Sequence, residues 1–171
     1  MQHLFDQTVP VFIKALKNLD SQISKAEAHV AAEMHAPFPQ TARLAPDMFP
    51  FAKQVQIATD NARLGVARLT GKEMPSFADN EASFAELHER ITKTIELLSP
   101  LTAADFDGAA DRKIELKYYP GQHMTGANYT QEYLVPNFFF HVAIAYAILR
   151  NAGVPIGKAD FLGSLPLVAN D

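Results

Sequence analysis

The chain has 171 residues, 48% hydrophobic and 20% charged, which is ordinary globular usage and fits a single domain spanning 1–171. A net charge of −4, with no run of Lys or Arg, leaves nothing to track a phosphate backbone, so nucleic acid is not an expected partner. The absence of cysteine removes disulfides, thiolate nucleophiles and sulfur-ligated metal centres together. With an N-terminus that lacks a basic start and apolar core, this leads us to expect a cytoplasmic protein.

Four long helical patterns follow one another. The first is expected after Thr8, with Pro10 in its opening turn, and carries Phe12, Ala15, Leu16, Leu19, Ile23, Ala26 and Val30 on one stripe. A loop with Pro37, Pro39 and Pro46 leads to Asp47, read as the cap of a second helix with Pro50 in its first turn. The second stripe is Phe51, Val55, Ala58, Ala62, Val66 and Leu69, and Gly71 is placed to close the helix in the left-handed conformation. A third helix is expected from Asp79 or Asn80, with Phe84, Leu87, Ile91, Ile95 and Leu98 on its apolar side and Ser99-Pro100 as the stop. Thr102 can cap a short extra turn. Lys113 to Tyr119 alternates charged and apolar residues, Pro120-Gly121 signals a turn, and Gln122 to Gly126 can return as a second strand. The fourth helix is expected from a cap at Asn128, with Gln131 in capping-box spacing, to about Asn151. Pro136 should kink it or loosen one turn. The apolar tail from Val154 to Gly163 should dock on the bundle.

From Tyr133 to Leu149 there is no Asp, Glu, Lys or Arg. This stretch of 17 residues is short for a spanning helix of about 20, and it contains Pro136, Asn137 and His141. A central or interfacial helix is the expectation, and no membrane partner.

No phosphate loop, dinucleotide fingerprint, hydrolase elbow or HExxH is present. Chemistry must then come from a few polar residues in apolar surroundings. His141 lies mid-helix among phenylalanines, and Asn137 four residues earlier shares its face. Two histidines at that spacing would form half of a metal site; an asparagine in the first place leaves a hydrogen-bonded core histidine as the plainer role. Gln54 lies about 60° from Phe51 around the second helix and can face the interior, while Gln56 falls on the opposite, solvent side by the same count. His88 flanks the third stripe and can reach a pocket. Arg43 is expected in a salt bridge, and Asp79, Glu81, Glu86 and Glu89 read as a solvated helix face. His3, His29, His35 and His123 cluster with nothing.

Two stretches carry a family resemblance. Arg43-Leu44-Ala45-Pro46-Asp47-Met48-Phe49-Pro50, continuing to Gln54-Val55 and Asp60, is one. Pro136-Asn137-Phe138-Phe139-Phe140-His141-Val142, continuing to Asp160-Phe161-Leu162-Gly163, is the other. Both resemble a bacterial family of uncharacterised proteins in the DinB/YfiT-like superfamily. The resemblance implies an all-α, up-down-down-up four-helix bundle, often dimeric, to which the alternation read above adds a small β-hairpin before the last long helix. It also implies a superfamily in which three histidines commonly hold a divalent metal, one from the second helix and two, four apart, from the last. Carried over, the last-helix pair falls on Asn137 and His141, and the second-helix histidine falls near Gln54 or Gln56, of which Gln54 faces the stripe.

The expectation is therefore an uncharacterised bundle with a degraded metal site, no required cofactor, and a pocket of Gln54, His88, Asn137 and His141 that can take a small molecule. A homodimer is the expected assembly. The alternatives are a metal-dependent hydrolase or thiol transferase, with metal on His141 and another histidine such as His88, and a homodimeric interaction module without catalysis.

Overall fold

The computed structural model describes residues 2–32 and 41–170. Helix α1 (Gln2–Ala32) starts earlier than its Thr8 signal, because Leu4 is buried and Phe5 meets Phe106 edge-on at 5.8 Å. Thr8 does not cap: its hydroxyl donates back to the Leu4 carbonyl at 2.6 Å, and Pro10 lies inside the helix. Pro37, Pro39 and His35 lie outside the described residues.

Helix α2 (Phe51–Thr70) is entered through Pro50 in extended conformation, with no side-chain cap. Asp47 is exposed and caps nothing; Arg43 donates to the Met48 carbonyl and fixes this turn, and makes no salt bridge among the described residues. Gly71 closes α2 at φ 73°, as its position requires, donating to the Ala67 carbonyl at 2.8 Å. All six stripe residues of α2 are fully buried.

Residues 71–83 then retrace α2. Pro75 lies by Arg63, Asp79 by Lys53 and Glu81 by Gln56, so the chain returns to the start of α2 before α3 begins. Helix α3 (Phe84–Leu98) starts at the Ser83 cap, which accepts from the Glu86 amide at 3.2 Å, four or five residues later than Asp79 or Asn80. That return makes α2 and α3 run the same way. A 3-10 turn (Ala103–Phe106) follows, held by the Thr102–Asp105 box.

Strands β1 (Lys113–Glu115) and β2 (His123–Thr125) pair antiparallel, Ile114 opposite Met124. The hairpin is shorter than its alternation implied, because a turn closed by the Tyr119 amide on the Leu116 carbonyl at 2.9 Å takes the chain out of the ladder. Helix α4 (Gly126–Asn151) is capped by Thr125, not Asn128, and its turn from Tyr129 to Leu134 is a π-helix. The Val135 amide reaches back to Thr130, so the wide turn absorbs the amide that Pro136 lacks.

Phe12 packs on Phe138 at 4.3 Å and Gly153 lies by His29, so α1 and α4 run parallel. Tyr129, Leu134, Asn137 and His141 meet Arg68, Gly65, Asn61 and Gln54 in turn, so α2 is antiparallel to α4. The order is up-down-down-up around one apolar core. Helix α5 (Lys158–Leu162) docks the tail on α1 through Asn18–Phe161, Gln22–Asp160 and Lys25–Asp160 contacts.

Candidate functional site between α2 and α4

The polar rungs of the α2–α4 seam gather three of the four pocket residues. Gln54 Nε2 donates to the Phe49 carbonyl at 3.0 Å, which turns its Oε1 toward His141 Nδ1, 2.7 Å away. That oxygen can only accept, so Nδ1 carries the hydrogen and donates, and Nε2 keeps its lone pair. Among the described residues no hydrogen bond reaches Nε2. Burial, leaving the ring 8% exposed, pushes the His141 pKa down to about 4. Asn137 is one turn away, as its spacing requires, but it bonds Asn61 Oδ1 through its Nδ2 at 3.1 Å and not His141. Asn61 Nδ2 is buried with no partner among the described residues.

His88 does not join them. Its Nδ1 sits 2.5 Å from Asp20 Oδ1 and its Nε2 4.0 Å from Glu27, placing it on the α1–α3 seam. Gln56 is also not on the solvent side: it is buried and donates to Glu81 at 2.9 Å. Helical counting makes that face of α2 an outer one, but the segment 71–83 folds back and covers it.

Beside the rungs, a cleft of about 360 Å³ opens between α2, α4 and the loop after β1. Asn61 and Asn137 lie in it, Lys53, Arg68 and Lys117 bring positive charge, and Phe49, Tyr118 and Tyr133 bring rings.

A second polar cluster was not anticipated from the sequence. Arg90, buried on α3, donates to Thr59 at 2.7 Å, Asp60 at 3.0 Å and Glu81 at 2.8 Å, and pairs with Asp79 at 3.1 Å. Arg63, also buried, pairs with Asp60 at 2.7 Å and donates to the Pro75 carbonyl. Both guanidinium groups cover the Phe77 ring, at 4.5 and 5.3 Å. Asp79 and Glu81 are therefore not a solvated helix face; they sit on the retracing segment as counter-ions. The signal was the spacing: Arg90 falls between Leu87 and Ile91, on the stripe itself.

Among the described residues, no group of three or more His, Cys, Asp or Glu side chains is placed to hold a metal ion. The second-helix and last-helix donors are two carboxamides and one imidazole, and the Gln54 oxygen already accepts the imidazole proton. This donor set does not fit a transition metal, which wants about three imidazole, thiolate or carboxylate ligands.

The fold and its seam define a DinB-like helical bundle. A crystal structure of a DinB family member protein from Shewanella denitrificans superposes with a TM-score of 0.94, at 41% identity over 98% of this chain and 96% of that one. Residues 4–162 match the family described as "Domain of unknown function (DUF1993)", and the chain belongs to that family. No curated protein matches it.

The depressed His141 pKa has a consequence for stability. Above pH 6.5 the ring is neutral folded and unfolded, and contributes no pH dependence. As pH falls from 6.5 toward 4 the unfolded chain binds the proton first, so the native state loses stability, and the loss levels off below the folded value of about 4. His141→Gln keeps a polar side chain without this titration. Urea melts at pH 7 and pH 4 should show the wild type losing up to about 3 kcal/mol more than the variant. Parallel losses would contradict the assignment.

Proposed function

We propose that the protein is a non-catalytic small-molecule-binding bundle whose inherited metal corner has become a hydrogen-bonded lock, leaving the neighbouring α2–α4 cleft as the ligand site. The observation that carries the reading is the chain from the Phe49 carbonyl through the Gln54 amide to His141 Nδ1. It commits the Gln54 oxygen to the imidazole proton, and with Asn137 it leaves weakly ligating amides at two of the three positions where the superfamily holds metal. The cleft supports the other half: its 360 Å³ is within the usual range for a small-ligand site, and it mixes apolar walls with a few convergent polar groups.

Protein purified without chelator, incubated with zinc, nickel, manganese and ferrous ions and desalted, should retain far less than one metal per chain by elemental analysis. One equivalent of metal that is lost in His141→Ala would overturn the reading in favour of a metal-dependent hydrolase or thiol transferase.

A second observation favours assembly into a homodimer. Helix α4 is long and apolar enough to cross a membrane, yet only 39% of its most apolar window is buried within the chain. Phe140 is 53% exposed on that outer side. With no charge from Tyr133 to Leu149, this face fits a second copy of itself, in the self-complementary manner of a two-fold interface. Sedimentation in detergent-free buffer should give a dimer, and Phe140→Glu a folded monomer. A wild-type monomer at micromolar concentration, or partition into vesicles, would contradict it.

A further inference from the structure

We infer that the α2–α4 cleft selects a small organic carboxylate with a flat apolar body; this rests on the reading of the cleft as a ligand site. The charge arrangement is the main argument. Among the described residues Asp60 is the one acid lining the cleft, and Arg63 and Arg90 hold it at 2.7 and 3.0 Å, so two guanidinium groups neutralise it from behind. Lys53 is likewise matched by Asp79 at 2.5 Å.

Arg68 and Lys117 are different. Among the described residues neither has a carboxylate partner: Arg68 Nη1 donates to the Tyr129 hydroxyl at 3.1 Å, and Lys117 Nζ lies 4.8 Å from the Tyr118 ring centroid. The cleft thus keeps two cations uncompensated in a chain whose net charge is −4, and would attract an anion against the overall field of the protein. A guanidinium beside a cleft is suited to a carboxylate, which it can bind through two parallel hydrogen bonds.

The same cleft offers a neutral donor. Asn61 Oδ1 accepts from Asn137, while Asn61 Nδ2 is buried without a partner among the described residues, a state that costs free energy unless something accepts from it. A carboxylate in the cleft would accept from it once the Asn61 amide turns outward, since the atom has almost no surface of its own. The walls then specify the rest of the ligand, because Ile57, Leu64 and Leu116 are apolar and Tyr118 and Tyr133 present rings. An inorganic anion would leave these surfaces without a partner.

The test is isothermal titration of the full chain with three matched probe pairs of one shape: benzoate and phenylacetate, the neutral benzamide and phenylacetamide, and the cationic benzylamine and phenethylamine. The carboxylates should bind one per chain and weaken with added salt. Arg68→Gln should weaken them about tenfold, the scale of one charge-assisted hydrogen bond, and Lys117→Gln should weaken them independently; the melting temperature should be unchanged in Lys117→Gln and somewhat lowered in Arg68→Gln, which also loses its bond to the Tyr129 hydroxyl. Amides or amines binding as tightly as the carboxylates would overturn the carboxylate assignment while leaving the cleft as a ligand site. Binding insensitive to both substitutions would overturn it as well. Heat from none of the three classes would overturn the assignment and the ligand-site reading together.

Discussion

The close antiparallel contact of α2 with α4 is the constraint on which the site depends. It is possible because Gly65 has no side chain: a Cβ there would stand 2.2 Å from Leu134 Cδ1. A second close approach pins the start of α4, where a Cβ on Gly126 would meet the Ala109 carbonyl oxygen at 1.9 Å. Just past Leu134 the helix must also carry Pro136, and the π turn from Tyr129 to Leu134 takes up the missing amide. With the two axes held together, short polar side chains can meet across them. Gln54 reaches His141, and Asn61 reaches Asn137, without water between them.

The direction of α3 depends on a different device. The segment 71–83 has almost no regular structure, yet it must run the length of α2 to start α3 at the correct end. Arg63 and Arg90 hold it there by binding the Pro75 and Ala78 carbonyls and the Asp79 and Glu81 carboxylates, with both guanidinium groups against the Phe77 ring. Buried charges are costly unless paired and bonded, and here each arginine has several partners, although Arg63 Nε is buried with none among the described residues. One arrangement links the two halves of the molecule: Asp60 is gripped from the α3 side by these arginines and borders the α2–α4 cleft on the other. The cleft owes its excess positive charge to that grip.

Much of the bundle was legible in the residues because it rests on local periodicity. The stripes of α1, α2 and α3 are buried almost residue for residue, Gly71 ends its helix, and the tail from Val154 docks. Boundaries were less legible where tertiary contacts overrode local signals. Thr8 resembles a cap only until Leu4 and Phe5 find the core, and Asp47 resembles one only until Arg43 ties the preceding turn. The pairing of Gln54 with His141 could be anticipated from helical faces together with the family pattern. The burial of Gln56 could not, since it depends on a loop returning over the helix. Nor could His88 be assigned to Asp20, because a histidine beside a stripe can turn to either neighbouring helix.

Membership of the DUF1993 family and the likeness to a DinB family structure fix the frame, and the chemistry has to be read from this chain's own side chains. One imidazole decides how that frame is used: His141 is held as a neutral ring that donates through Nδ1 to the Gln54 amide, in a donor set that does not fit a transition metal. Nitrogen-15 NMR of the histidine side chains reads that state directly. We expect His141 as the neutral Nδ1–H tautomer at pH 7, still neutral at pH 5, with its Nε2 resonance unmoved by added zinc. An Nε2–H tautomer, an imidazolium at pH 6, or a large zinc-induced shift of Nε2 would contradict the account.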